Sequence, residues 1–413
     1  MQRQSSTTRA AMRGTVRAVN RLTAKWAATE SADRGTVFSA PGVWPLLAFL
    51  ADGATGAARA ELSEAVGLPA DEAAAGAREL LAALDRVRGM DAALGLWTRR
   101  TLTLREAWRD GVPVDALGVL TGDPAADAAA LDAWAAERTG GQIRQLPAHP
   151  DESTEFVLAS ALALRTEWLR PFDEGWMIPE TGPWQDRTLA GLHRSTSLLD
   201  RVGVAQAAAG AVTGLKVLGS TGIDVHLLLG EDHMGPGAVL GAGVDALARR
   251  IPVVPGTHLP YGEVGPGLEV RRVRSMSPRP PTLHVATVAF TSTSRHDLME
   301  RHELFGLTTA KNASDTTAMA EGHFPGIAVE PLALRKGEQT ATATFGALGF
   351  RAAAVTVFAA IGAGLPEERY ITTDVNATFD RPFGFLAVHR TSRLVLAAGW
   401  VTDPEPYRED EDH

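Results

Sequence analysis

Apolar positions recur at helical spacing over the first third of the chain and at strand spacing over most of the rest. Val19, Leu22 and Trp26 fall on one face of a helix over 17–29. An apolar block at 43–50 follows Pro41 and Gly42. A further helix starts at Thr55 as N-cap and stops at Gly67-Leu68-Pro69, where glycine takes a left-handed turn and proline blocks continuation. The stretches 71–88 and 126–138 read as helices, the second closed by Thr139-Gly140-Gly141. The stretch 92–98 reads as a strand.

Strands dominate the remainder. Phe156–Leu164 is a nearly continuous apolar run of strand length, the pattern of a strand buried on both faces. Further strands are expected at 225–229, 283–290, 340–345, 383–388 and 394–401, with one helix near 296–304. Proline and glycine thicken over 235–281, which reads as long loops. No repeat of solenoid period is visible. Helices first and strands later define an α+β chain.

Composition narrows the function. Of 413 residues, 45% are hydrophobic and 22% charged, enough apolar material for a sizeable core. The net charge of −9 argues against a nucleic-acid partner. With no cysteine, disulfide scaffolds, thiol nucleophiles and thiolate metal sites are excluded. No apolar run is long enough to span a membrane. The acid-free start, with Arg3, Arg9, Arg13 and Arg17, reads as a frayed terminus entering the first helix rather than a transit peptide. No secretory signal is visible, which favours the cytoplasm.

Motifs for catalysis are weak. There is no Gly-x-Ser-x-Gly elbow, phosphate loop or His-Glu-x-x-His. Gly241-Ala242-Gly243 follows a glycine- and proline-bearing stretch rather than a strand, so it is no dinucleotide fingerprint. His296 and Glu300 would share a helix face that His302 leaves, so they read as solvated residues rather than metal ligands. No catalytic residue, metal site or cofactor is expected.

One run asks for an explanation. Residues 352–366 (AAAVTVFAAIGAGLP) are uncharged and mostly small, and lie between Arg351 and Glu367-Glu368-Arg369. After them come Phe379-Asp380-Arg381-Pro382-Phe383 and Gly399-Trp400-Val401-Thr402-Asp403-Pro404. That pair resembles the C-terminal signature of the serpins, where an aromatic-x-x-Pro-Phe strand and a Gly-x-Val-x-x-Pro strand follow an exposed reactive loop. The resemblance extends backward in order. It includes Val37-Phe38-Ser39 with Gly53-Ala54, Leu94-Gly95-Leu96-Trp97, and Leu131-Asp132-Ala133-Trp134 with Thr139-Gly140-Gly141-Gln142-Ile143. It continues through Trp168-Leu169-Arg170-Pro171-Phe172, Leu304-Phe305-Gly306-Leu307 and Phe324-Pro325-Gly326-Ile327.

The chain thus resembles a bacterial serpin with a divergent hinge. The resemblance implies N-terminal helices packed on a large central, mostly antiparallel sheet. It implies one domain over 16–404, a disordered extension at 1–15, a reactive loop at about 350–378 and an acidic tail at 405–413. It also implies a monomer that inhibits a serine protease. The protease cuts the loop, and the cut loop enters the central sheet as a new strand. The family's register puts the hinge at Gly349, Phe350, Arg351, Ala352, Ala353, Ala354, Val355 and Thr356. It puts the reactive bond at Ala363-Gly364, suited to an elastase-like or subtilisin-like protease, with Arg369 as the trypsin-like alternative.

The hinge departs from the family pattern. Two glutamates are missing, and Phe350 stands where the family has threonine. On insertion Phe350, Ala352, Ala354 and Thr356 would face inward, none of them charged, with Phe350 overpacking the strand. In the sheet-opening region Trp168 and Ser39 are retained. Gly35, Gly42, Ser160 and Gln339 replace the family's asparagine, second serine, strand asparagine and histidine. Two readings follow: an inhibitory serpin, and a serpin-fold binding protein whose loop does not insert efficiently.

Overall fold

The computed structural model describes residues 2–146, 150–152, 154–311, 323–332, 334, 336–350 and 370–408, with 2–9 and Ala93 as backbone alone. The first third supplies α1 (Gln2–Ala27), β1 (Thr36–Phe38), α2 (Ala40–Gly53), α3 (Gly56–Val66), α4 (Ala70–Leu84) and β2 (Met90–Arg99). Next come α5 (Glu106–Arg109), β3 (Leu117–Leu120) and α6 (Pro124–Arg138). The middle holds β4 (Phe156–Leu164), β5 (Thr166–Glu167), β6 (Asp173–Met177), β7 (Leu189–Thr196), β8 (Val202–Ala207), β9 (Gly210–Val217) and β10 (Ile223–Gly230). Then follow α7 (Pro236–Leu247), β11 (Val253–Pro255), β12 (Gly262–Gly265), β13 (Leu268–Ser275), β14 (Thr282–Val288) and β15 (Phe290–Asp297). The chain continues through α8 (His302–Phe305), α9 (Thr308–Lys311), β16 (Lys336–Phe345), β17 (Gly349–Phe350), β18 (Tyr370–Thr378), β19 (Phe383–His389) and β20 (Val395–Val401).

Local chemistry sets several of these boundaries. Ser39 caps α2 by accepting a hydrogen bond from the Gly42 amide, and Pro41 occupies the first turn. Asp123 caps α6 through the amides of Ala125 and Ala126. Gly67 ends α3 at a φ of 71°. Thr55 stands at the N-cap of α3, but its side chain makes no capping bond.

Three large sheets share one apolar core. The central sheet has the order β15-β16-β4-β2-β3, another runs β1-β20-β19-β10-β9-β8-β11, and a third runs β12-β13-β18-β14-β7-β6. Phe290 and Phe345 stack at 5.4 Å in the central sheet, and Phe290 meets Phe385 of the second sheet at 5.2 Å. The helices α1 to α4 cover the other side of that core through residues such as Val19, Trp44, Phe49 and Leu80.

Four expectations need correction. Residues 2–15 are not a disordered extension: they belong to α1, anchored downstream by buried Val16, Val19, Leu22 and Trp26 and free of proline. His296 lies on β15 rather than on a helix, because the Phe290–Asp297 strand pairs along its whole length with β16. The stretch 235–281 is not loop alone; it contains α7, β11, β12 and β13. The supposed tail is partly structural, since Ala190 and Tyr407 donate backbone hydrogen bonds to Glu405 and Thr188.

One pairing in the central sheet carries a pH dependence. Glu338 of β16 stands opposite Asp297 of β15. Burial, then the charge of Asp297, pushes Glu338 up to about 7, with Lys336 and Arg295 opposing and Glu300 adding. A carboxyl raised in the folded state contributes stability below its unfolded value, and that contribution is lost as pH rises through its folded value. Glu338→Gln should therefore raise the melting temperature at about pH 8 while changing it little at about pH 5. Parallel melting curves for the variant and the parent across that range would remove Glu338 as the cause.

Candidate functional site

The centre of interest is the seam between β4 and β16. These strands are parallel neighbours, paired from Lys336 with Val157 to Ala341 with Leu162. A chain that leaves β16 at Phe345 and folds back would run antiparallel to both of them. The seam residues on β4 are small or aliphatic and all buried. Among the described residues no strand lies between the two.

Beneath the seam, Gln339 ties the sheet to the helices. Its Oε1 accepts from the Ser39 amide at 2.7 Å, and its Nε2 donates to the Ser39 carbonyl at 2.8 Å. The Ser39 hydroxyl donates in turn to the Leu396 carbonyl of β20 at 2.7 Å. Gln339 is fully buried, so these bonds spare it the desolvation cost of an unpaired amide. Gly42 makes the room: a Cβ there would stand 2.5 Å from the Ser160 hydroxyl and 3.0 Å from Gln339 Nε2. Ser160 pairs in register with Gln339, yet its hydroxyl has no partner among the described residues. Gly35 lies apart from this cluster, against Thr402 and Trp400.

His296 reinforces the region from β15, opposite Gln339. Its Nε2 is 2.9 Å from the Val37 carbonyl, and its ring meets Trp26 edge-on at 5.0 Å. Burial pushes its pKa down, with the Val37 contact opposing. No signal along the sequence marked this residue for the cluster, because the helical reading of 296–304 placed it on a solvated face. No group of residues placed to hold a metal ion occurs among the described residues.

Above the seam, the chain that leaves β16 is held before it departs. Trp168 is buried, donates through Nε1 to the Gly346 carbonyl at 2.8 Å, and lies 5.0 Å from Phe345. The amides of Trp168 and Phe172 donate to the carbonyls of Leu348 and Ala347. Gly349 and Phe350 then pair with Glu167 and Thr166. A Cβ on Gly349 would stand 2.4 Å from the Thr166 carbonyl oxygen, so only glycine permits this approach. Phe350 is 1% exposed and its ring lies 6.1 Å from Phe385.

The remaining hinge positions Arg351, Ala352, Ala353, Ala354, Val355 and Thr356, the expected bond at Ala363-Gly364, and Arg369 lie outside the described residues. The loop is shorter than expected at its far end. Residues 370–378 form β18, which pairs with β13 from Tyr370 to Ala377 and with β14 from Asp374 to Thr378. Arg279 adds an ion pair to Asp374 at 2.8 Å, and its carbonyl accepts from the Thr372 hydroxyl. Thr372 is buried on one face of β18 and Val375 and Ala377 on the other, which fits this position inside a sheet.

Comparison with known proteins agrees with the arrangement. The model of the family "Serpin (serine protease inhibitor)" matches residues 18–179. No curated protein matches significantly. Solved structures match along nearly the whole chain. Human thyroxine-binding globulin in complex with thyroxine is 16% identical, with 95% of this chain and 98% of that chain covered and a TM-score of 0.69. The native state of the thermophilic serpin tengpin is 13% identical, with 95% and 94% covered and a TM-score of 0.70. Native protease nexin-1 with heparin is 15% identical, with 96% and 99% covered and a TM-score of 0.68. The chain has the serpin fold.

Proposed function

We propose that the protein inhibits a serine protease of the elastase or subtilisin kind by loop cleavage and insertion. The observation that carries this reading is the closed parallel seam between β4 and β16, with the chain leaving β16 at its end. A cut loop entering there would gain strand hydrogen bonds on both sides, a large driving force from a single chain break. The uncharged run after Arg351 supplies residues that a buried strand accepts. The serine nucleophile belongs to the protease, and this chain contributes the scissile peptide and the spring.

A second reading, a binding protein with an inert loop, is favoured by Phe350. Its buried ring must leave the native core before insertion can start at that residue. Burial of such a side chain is worth about 1.5–3 kcal/mol, which enters the insertion barrier wherever the ring is transiently exposed. The brake thus acts in the native state, in addition to any overpacking of the inserted strand.

Three experiments follow. Mixed with pancreatic elastase or subtilisin, the protein should form a covalent complex that survives SDS; cleavage without complex would leave only the binding reading. Phe350→Thr should lower the melting temperature of the uncut protein and raise the fraction of protease trapped per cleavage. A lower melting temperature with an unchanged trapped fraction would show that the ring stabilises the fold without braking insertion. Gly42→Ala should cost about 1–3 kcal/mol, because the added methyl displaces Gln339 or Ser160. In a Gln339→Ala background the same change should cost less, and strict additivity in denaturant unfolding would deny that the two positions share one space.

A further inference from the structure

A serine, a histidine and an aspartate meet on the third sheet, away from the seam. Strand β14 lies between β7 and β18. His284 of β14 stands directly opposite Ser195 of β7, and Thr282 of β14 stands opposite Asp374 of β18. Residues directly opposite one another, and residues two apart on one strand, point to the same face of a sheet. Ser195, His284 and Asp374 therefore share one face, each carried by a different strand of a fixed ladder.

The side chains complete the arrangement. Ser195 Oγ lies 2.9 Å from His284 Nδ1, and His284 Nε2 lies 3.6 Å from Asp374 Oδ1. The carboxylate is held by its other oxygen: Arg279 donates to Oδ2 at 2.8 Å and is braced on Thr282 Oγ1 at 3.3 Å. Oδ1 is buried and has no hydrogen-bond partner among the described residues, a costly state for a carboxylate oxygen. A proton on Nε2 offsets that cost, and it leaves the Nδ1 lone pair to accept from the Ser195 hydroxyl.

Exposure falls along the same line. Ser195 is exposed, the His284 side chain is half-buried, and the Asp374 side chain is 15% exposed. An open hydroxyl is thus backed by an imidazole and then by a carboxylate shielded from water, where its charge acts more strongly. A merely solvated sheet face has no need of a buried carboxylate oxygen turned to a histidine.

We propose that Ser195 is a catalytic nucleophile toward small activated esters, with His284 as its general base and Asp374 as the positioning residue. The Ser195 oxygen bonds to the ester carbonyl carbon as its proton passes to Nδ1. Asp374 stabilises the imidazolium that forms. Nδ1 then gives the proton to the departing alcohol oxygen, the ester C–O bond breaks, and the acyl group stays on Ser195. Water repeats the sequence and releases the acid. The ring runs in the reverse sense to the common triad, in which Nε2 faces the serine, but either nitrogen serves as a base. The 3.6 Å contact is longer than a hydrogen bond, as catalytic contacts often are before substrate binds. Because the nucleophile lies on an open face, it suits small acyl donors with a good leaving group, aryl esters above all. None of the three residues belongs to the seam or the hinge, so this activity is separate from protease trapping.

The test uses the full chain with p-nitrophenyl acetate and a fluorophosphonate probe. The ester should give a burst of about one nitrophenolate per chain and then slow turnover. The probe, losing fluoride to form a Ser–O–P bond, should mark Ser195 in a peptide map. Ser195→Ala should abolish burst and label at an unchanged melting temperature. His284→Gln should slow both about a hundredfold. Asp374→Asn keeps an acceptor for Arg279 and should lower kcat about tenfold at an unchanged KM, a split that mere loss of folded protein does not predict for the fraction that binds. His193→Gln, on the same face of β7 but turned to the Trp176 carbonyl, should change neither rate. A probe that misses Ser195 or spreads over several residues, or ester hydrolysis that Ser195→Ala leaves intact, would overturn the proposal.

Discussion

The architecture depends on how one parallel strand pair is kept closed in the middle of a sheet. β4 and β16 are joined by a parallel ladder, and parallel pairing is the weaker kind. A buried amide fixes the β16 side of the pair to the elements beneath it. Gln339 reaches from β16 to both backbone groups of Ser39, at the start of α2, and Ser39 passes the connection to β20. A strand in one sheet, a helix terminus and a strand in another sheet are therefore fixed by one side chain. Parting β16 from that helix terminus means breaking two hydrogen bonds to buried groups, each costly to leave unmade. The orphaned Ser160 hydroxyl across the seam shows that the network is anchored on the β16 side rather than shared evenly.

The same cluster explains what the sequence could and could not reveal. Phe156–Leu164 was legible to the residue, because a strand buried on both faces must be continuously apolar. Trp168 and Gly349 were legible through family resemblance, and the structure supplies their physical reasons: a hydrogen bond to Gly346 and a close approach to Thr166. The polar cluster read as a set of losses, position by position. In space it is a substitution of one network for another, in which Gly42 gives up volume that the Gln339 amide uses. Ser39 and Gln339 are 300 residues apart, so no local pattern could display the exchange. β13 was missed for a different reason. Leu268 and Val270 alternate as a strand should, but Arg271, Arg272 and Arg274 face solvent, and the surrounding glycines and prolines obscure the period.

The two ends of the loop are held unequally, and that asymmetry bears on the insertion proposed above. At the near end the grip is short: two residues paired with β5, one buried ring and one tryptophan hydrogen bond. At the far end β18 is an interior strand, paired on both edges and tied by Arg279. An intact loop cannot enter the seam along its length without drawing on both ends. The near end can yield at a cost of a few hydrogen bonds and one aromatic side chain, whereas extracting β18 would break two ladders and bare the core residues Val375 and Ala377. On the proposed mechanism, cutting the loop would remove that second cost while leaving the first unchanged. The β12–β13 hairpin, by making β18 interior, would then make insertion conditional on cleavage. It would raise the barrier for the uncut chain and leave the barrier for the cut chain to Phe350 and Gln339.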